Sequence, residues 1–368
     1  MAVFNWQLLC YLFGMETSES PLRGSASKYL EAEPLSKLKE NILATLAYYD
    51  VFDLPLKKEE VFSFLINFRH LNQFSDIARP EVLRCPQIQE IQKELDQLIL
   101  DGVVGLREGY YFLFGREYLV SLRLKREKIT KYKWRIARRA VWWLRFAPYL
   151  WAVFASGSLA MKNTDELSDL DVLVVVKYGR IWLARLLITA MLSILHVRRR
   201  GRDKIAPDKI CLNHYITDRS LYIPHKSIYN AQTYSNLVPL YIADVELIEK
   251  FKTANTWVLD YIYRWGQLDS AILQNHQGPP SVVVKICEII LDTKLGDWLE
   301  NLARKYQSRR IADNPATHQT GGRVIFTNEQ LEFHPHSIET QIIKGYNERL
   351  LKLNLLQLAV EKDSGLTQ

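Results

Sequence analysis

The period of the apolar positions changes several times along the chain, and each change marks an element. Leu38, Ile42, Leu46 and Tyr49 recur at helical steps, and the turn signal DLP at 53–55 ends the helix they predict. A second short helix is expected from Lys57. A third spans IQEIQKELDQLIL, and DGVVGLREGYYFLFG after it reads as two short strands about a Gly-rich turn. Between 121 and 145, Ile129, Tyr132, Ile136, Ala140 and Trp143 step by three or four, so one long amphipathic helix is expected with Lys and Arg on its outer face. YLWAVFASGS then reads as a strand ending in a tight turn, LAMKNTDEL as a helix or turn, and SDLDVLVVV as a second strand. IWLARLLITAMLSILHV predicts a buried crossover helix, and DKICLNHYIT a third strand. Beyond Pro224, segments 227–264, 281–307 and 336–361 carry helical periodicity, interrupted by two loops and by a β-hairpin expected around TNEQ.

A chain of 368 residues exceeds the size at which single cores stop growing, so several domains are expected. The fold class read from these elements is α+β. An arm occupies 1–35, polar and rich in Ser, Pro and Gly after an apolar start; a module of three helices and a hairpin follows at 36–120. Then come the basic connecting helix at 121–147, a mixed sheet with helices at 148–224, and a mostly helical C-terminal domain at 225–368. The order of elements in 36–120 resembles a winged helix-turn-helix. Its third helix offers Glu90, Glu94, Asp96 and Asp101 against Lys93 alone, the wrong sign for phosphate neutralisation, so protein contact or domain packing is expected before DNA binding.

Charge changes the picture in one place. The segment 121–145 holds ten Lys and Arg against the single acid Glu127, so the net charge of +7 is concentrated there. Such a run is either a solvated connector or a surface for a polyanion such as RNA, or for a protein partner. The run RRRGRDK at 198–204 reads as a solvated loop, and Arg185 as a side chain that snorkels or pairs with an acid. Four cysteines, Cys10, Cys85, Cys211 and Cys287, lie far apart without a CxxC pair, which fits reduced thiols and a cytoplasmic protein. The opening apolar stretch lacks a signal peptide's basic start and cleavage site, and the seventeen-residue run at 181–197 contains Arg185; no membrane partner is expected.

The chemistry-bearing stretch is ASGSLAMKNTDELSDLDVLVVV, residues 155–176. Residues two apart on a strand share a face, so Asp169 and Asp171 present both carboxylates to one side while Leu170, Val172 and Val174 bury the other. Two carboxylates side by side repel, and a divalent metal compensates them. Gly157 permits close approach of a phosphate, and Ser158 with neighbouring N–H groups can donate to it. Lys162 is a further phosphate candidate, beside the alternative of a solvated loop lysine. His214, beside Asn213, is expected on the opposite strand face as a core histidine. His334 and His336 flank Pro335 without further ligands at metal spacing and are expected in loop or cap roles.

The string Gly157-Ser158 followed by Ser168-Asp169-Leu170-Asp171 between hydrophobics resembles the signature of the DNA polymerase β-like nucleotidyltransferase superfamily, closest to its minimal and aminoglycoside nucleotidyltransferase branch. The resemblance covers about residues 150–220. It implies a mixed sheet with helices, Mg²⁺ on Asp169 and Asp171, and a nucleoside triphosphate donor held by Gly157, Ser158, Lys162 and Ser168. The implied activity is transfer of a nucleoside monophosphate to a hydroxyl on a small molecule, protein or RNA. The superfamily usually carries a third carboxylate on a later strand; the matching position here is Asn213, an amide that can coordinate a cation but cannot accept a proton. Asp208 is expected on the opposite face, and Asp165 or Glu166 remain alternatives for the base. The competing class is a catalytically impaired nucleotide-binding protein whose winged-helix module and basic helix bind a partner.

Overall fold

The computed structural model describes residues 36–68, 71, 84–201, 203, 205–265, 281–355 and 358–359. The arm at 1–35, Cys10, Arg202 and Lys204 therefore lie outside the described residues. The chain divides at Lys37, and the fold described belongs to the second unit, Leu38–Gln368. It is mixed α+β.

Helix α1 (Lys37–Asp50) is followed by β1 (Leu56–Lys57), α2 (Lys58–Ser63), α3 (Ile88–Leu100) and the hairpin β2 (Val104–Arg107) and β3 (Tyr110–Leu113). The three strands pair antiparallel in the order β1-β3-β2. On α3 only Ile91, Leu95 and Leu98 are buried, one stripe at helical spacing. Helix α1 is different: every residue from Asn41 to Asp50 is buried, because other elements pack around all its sides.

The long helix α4 (Tyr118–Leu144) leads to β4 (Leu150–Ala155), the single turn α5 (Gly157–Ala160), β5 (Leu170–Val176), α6 (Ile181–Ile194) and β6 (Ile210–Thr217). Helix α7 (Ile228–Ser235), strand β7 (Val238–Ile242), α8 (Glu246–Ala254) and α9 (Val258–Tyr261) come next. Helices α10 (Val282–Leu291) and α11 (Lys294–Ala312), a 3-10 turn at Pro315–His318, strands β8 (Arg323–Phe326) and β9 (Gln330–His334), and α12 (Glu339–Lys352) complete the order. The main sheet runs β7-β4-β5-β6-β9-β8, with β5 and β6 parallel and the other neighbours antiparallel.

Two departures from the periodicity matter. Val238–Ile242 falls inside a stretch read as helical, yet it forms the edge strand beside β4, because four of its five residues are buried and tertiary burial overrides local period. The long helix α4 also turns a different face inward. Its buried residues include Arg123, Thr130 and Lys133, while Tyr132 and Trp143, expected in the buried stripe, are exposed.

The sheet separates two cores. Val172, Val174 and Val176 on β5 and Tyr215 on β6 pack with Trp182, Ile188 and Leu192 of α6. Leu173 and Val175 face the other way, with Phe154 and Ile216, into the core that also takes in α1 and α3. Among the described residues no helix is long and apolar enough to cross a membrane.

Candidate functional site

Asp169 immediately precedes β5 and Asp171 is its second residue, so both carboxylates stand at the start of a strand whose remaining residues are buried. A carboxylate oxygen of each lies within 4.8 Å of the other and of the Cys211 thiol on β6. This three-residue group is the one found among the described residues with metal-sized spacing; His334 and His336 are not part of it. Cys211 was missed by sequence reasoning. The signal is faint, since Cys211 lies two residues from Asn213 on one strand but nothing in the sequence shows that this strand runs beside Asp171.

Asn213 donates from Nδ2 to Asp171 Oδ1 at 2.8 Å. Strand β6 reaches this geometry through a bulge: Asp171 pairs with Cys211 and Leu173 with His214, so three residue steps on β6 oppose two on β5. The extra residue puts His214 on the same face as Leu173 and Asp171, which corrects the expectation from strict alternation. His214 is still a buried core histidine. Its Nε2 lies 3.1 Å from the Gln330 amide and its Nδ1 3.0 Å from Tyr234 Oη. With Gln330 donating, Nδ1 carries the proton and donates to Tyr234. Burial pushes its pKa down to about 4.

Gly157 explains the close approach at the end of β4. Its φ is +56°, and a Cβ placed there would sit 3.1 Å from Asp171 Oδ2. The neighbouring Ser156 N–H donates to the Asp171 carbonyl at 3.0 Å, tying the Gly-Ser turn to β5. Ser158 is half-buried on the short α5, and Lys162 is exposed with φ +55°. Ser168 is engaged locally: its hydroxyl donates to Asp165 Oδ1 at 2.7 Å and accepts from the Asp165 N–H at 3.0 Å. Burial works against the Asp165 carboxylate, but these bonds, with the Ser168 and Leu167 amides, hold it below its ordinary range. Glu166 points to Lys125, 3.1 Å away.

The buried polar face of α4 holds this loop. Arg126 donates to Asn163 Oδ1 at 3.0 Å, and the Thr130 and Thr164 hydroxyls are 2.7 Å apart. Lys133 donates to the Ser168 carbonyl at 2.7 Å, the Glu166 carbonyl at 3.3 Å and Asp208 Oδ1 at 2.7 Å. Asp208 is thus turned to Lys133. Three side chains of the basic helix, two of them the cations Arg126 and Lys133 expected on its outer face, act as a splint beneath residues 163–168.

Arg199 is the second residue sequence reasoning missed. The Arg199 N–H donates to the Ile210 carbonyl, and the Ile210 N–H to that of Val197, so this stretch runs beside β6 and delivers the guanidinium to Asp169 Oδ2. A run of arginines reads as solvated because sequence does not reveal which member meets a strand. Electrostatics follow from these neighbours. Burial and the adjacent Asp169 raise the Asp171 carboxyl to about 7 against the opposing pull of Arg199, and burial with both carboxylates pushes the Cys211 thiol up. Arg185, alone in its apolar helix, is bonded to Gln307 and lies over the Phe333 ring.

Two carboxylates and the Cys211 thiol converge with a spacing that could hold a metal ion, while Arg199 is paired with Asp169 and the Asn213 amide with Asp171. Comparison with known families, curated proteins and solved structures finds no match for the chain.

Proposed function

We propose that the chain is a metal-dependent nucleotidyltransferase that moves a nucleoside monophosphate from a nucleoside triphosphate to a hydroxyl acceptor. The observation carrying this reading is the convergence of Asp169 and Asp171 beneath a positive-φ Gly157 in a Gly-Ser turn. It is the arrangement expected from the resemblance to the DNA polymerase β-like superfamily, and the mixed sheet is compatible with it. A bound Mg²⁺ would neutralise the carboxylate pair and draw the donor phosphate to it. Asp169 and Asp171 would hold it, Ser158 would donate to a phosphate oxygen, and Arg199 would have to leave Asp169 Oδ2. Lys162, on the exposed turn, would contribute electrostatic attraction at longer range.

The three helices and the β1-β3-β2 sheet support the winged-helix reading for 36–120. On α4, Lys128, Lys131, Arg135, Arg138 and Arg139 remain exposed, and they are the surface through which RNA or a protein would be held at 121–145. Free Cys85, Cys211 and Cys287 support a cytoplasmic location.

A second reading, nucleotide binding without turnover, is favoured by Asn213. Its NH₂ faces Asp171, and an amide cannot act as the base. One experiment separates the two. The purified protein is titrated with NTPs in Mg²⁺, then incubated with α-labelled NTP and a cell extract. Label transfer that Asp169→Asn abolishes supports the enzyme; metal-dependent binding without transfer supports the binding protein; no binding sinks both.

A further inference from the structure

Helices α10 and α11 are amphipathic in the wrong direction for a buried pair. On α10, Val284 and Glu288 face the body of the protein, while Val282, Val283, Ile286, Ile289 and Ile290 face out. On α11, Gly296, Ala303 and Gln307 are the buried side, and Leu295, Trp298, Leu302 and Tyr306 form an adjacent, exposed stripe. These nine outward side chains are each 50–73 % exposed. The spacing places them on one stripe of each helix, and an apolar surface of this kind marks an interaction site. The hairpin is tight: a Cβ on Gly296 would fall 1.6 Å from the Leu291 carbonyl oxygen.

Charge identifies the occupant. Each acid on the two helices and at their junction already has a partner, Glu288 and Glu300 half-buried and Asp292 and Asp297 in exposed ion pairs. Glu288 accepts from the Tyr149 N–H at 2.6 Å, Asp292 from Lys177 at 2.6 Å, Asp297 pairs with Arg180 at 2.8 Å, and Glu300 accepts from the Trp182 and Leu183 amides. The cations Lys285, Lys294, Lys305, Arg309 and Arg310 are exposed. The result is an apolar stripe bordered by positive charge, with Trp298 and Tyr306 supplying amphipathic rings. A second copy meeting this face about a two-fold axis would set the cations that border the stripe against one another, while Asp292 and Asp297 are held by Lys177 and Arg180. An anionic bilayer surface satisfies both features, since apolar side chains enter the acyl boundary and Lys and Arg meet the headgroups. Close by, the end of α4 and the turn after it carry the exposed cluster Trp142, Trp143 and Phe146, the last of them three residues before Tyr149, whose N–H donates to Glu288 of α10.

We infer that the α10–α11 hairpin docks the protein on an anionic lipid surface, lying in the interface without crossing it. This stands independently of the nucleotidyltransferase reading. The test is flotation of the full chain with phosphatidylcholine vesicles, with and without phosphatidylglycerol. Binding is expected to anionic vesicles and to fall as salt rises. The double variant I286D/I289D should weaken it by about tenfold or more, and the charge reversals K285E, K305E and R309E together should do so by a similar factor. Circular dichroism and the urea midpoint should stay at wild-type values, because these side chains are exposed. Wild-type protein that fails to float with anionic vesicles overturns the proposal, as does I286D/I289D protein that floats equally well. A dimer that I286D/I289D dissociates, with no vesicle binding, reassigns the stripe to a second copy.

Discussion

Replacing Lys133 by Met tests whether α4 splints the loop that leads to Asp169. Methionine keeps an apolar stem of similar length, so the change removes the ammonium and little else. Lys133 Nζ makes bonds of 2.7 Å to the Ser168 carbonyl and 2.7 Å to Asp208, with a longer one of 3.3 Å to the Glu166 carbonyl. The lysine is 1 % exposed, whereas Asp208 is 36 % exposed and can recover water. The Asp208 bond therefore counts for less, and the loss is dominated by the bonds from the buried ammonium to the loop carbonyls of half-buried Ser168 and exposed Glu166. At about 1.5–3 kcal/mol for a hydrogen bond to a charged group, Lys133→Met should cost about 3 kcal/mol. Lys128→Met, exposed on the same helix, should cost under about 0.5 kcal/mol. Urea unfolding followed by circular dichroism measures both. Because the Ser168 carbonyl is one residue from Asp169, Mn²⁺ affinity measured by calorimetry should also fall, by about tenfold, as for other partners that orient ligands. A Lys133→Met protein that unfolds at the same urea concentration as Lys128→Met, with unchanged Mn²⁺ affinity, would refute the splint.

Gly157→Ala should lose about 1–2 kcal/mol to the left-handed backbone. It should also lower Mn²⁺ affinity about tenfold by pressing a methyl toward Asp171 Oδ2, and wild-type affinity would argue against a cradle there. Asn213→Asp should raise turnover by about 10²–10⁴-fold if a missing base limits the rate, read from label transfer; a folded, NTP-binding variant with no gain favours the binding protein. Acid should destabilise the wild type through His214, whose native pKa of about 4 lies below its ordinary 6.5. Between those values the unfolded chain takes up a proton that the folded one refuses, so stability falls with decreasing pH by about 3 kcal/mol. His214→Gln should flatten that part of the pH profile in thermal melts; an unchanged slope would mean that other groups carry it.

What was legible in the sequence was local. Alternation along SDLDVLVVV sufficed to bury Val172 and Val174 on one side and leave Asp171 on the other, because a strand's period of two is a property of its own backbone. Helical steps in α3 and α6, the Gly-Ser turn after β4 and the hairpin at Thr327–Gln330 were readable for the same reason. Asn213 was singled out only through the resemblance, and its bond to Asp171 depends on how β6 pairs with β5. Tertiary structure alone decided which strands joined the sheet, since Val238–Ile242 becomes a strand only where the β4 edge is free to receive it. It also decided the bulge that swings His214 onto the Asp171 face, because a bulge is a property of two paired strands and appears in neither one singly. The pairing of Arg199 with Asp169 and the burial of Lys133 beneath the loop are likewise contacts across 30 residues or more. A cation's sequence neighbours show that it is charged, but whether it is solvated or buried depends on which carbonyl or carboxylate the fold brings to it.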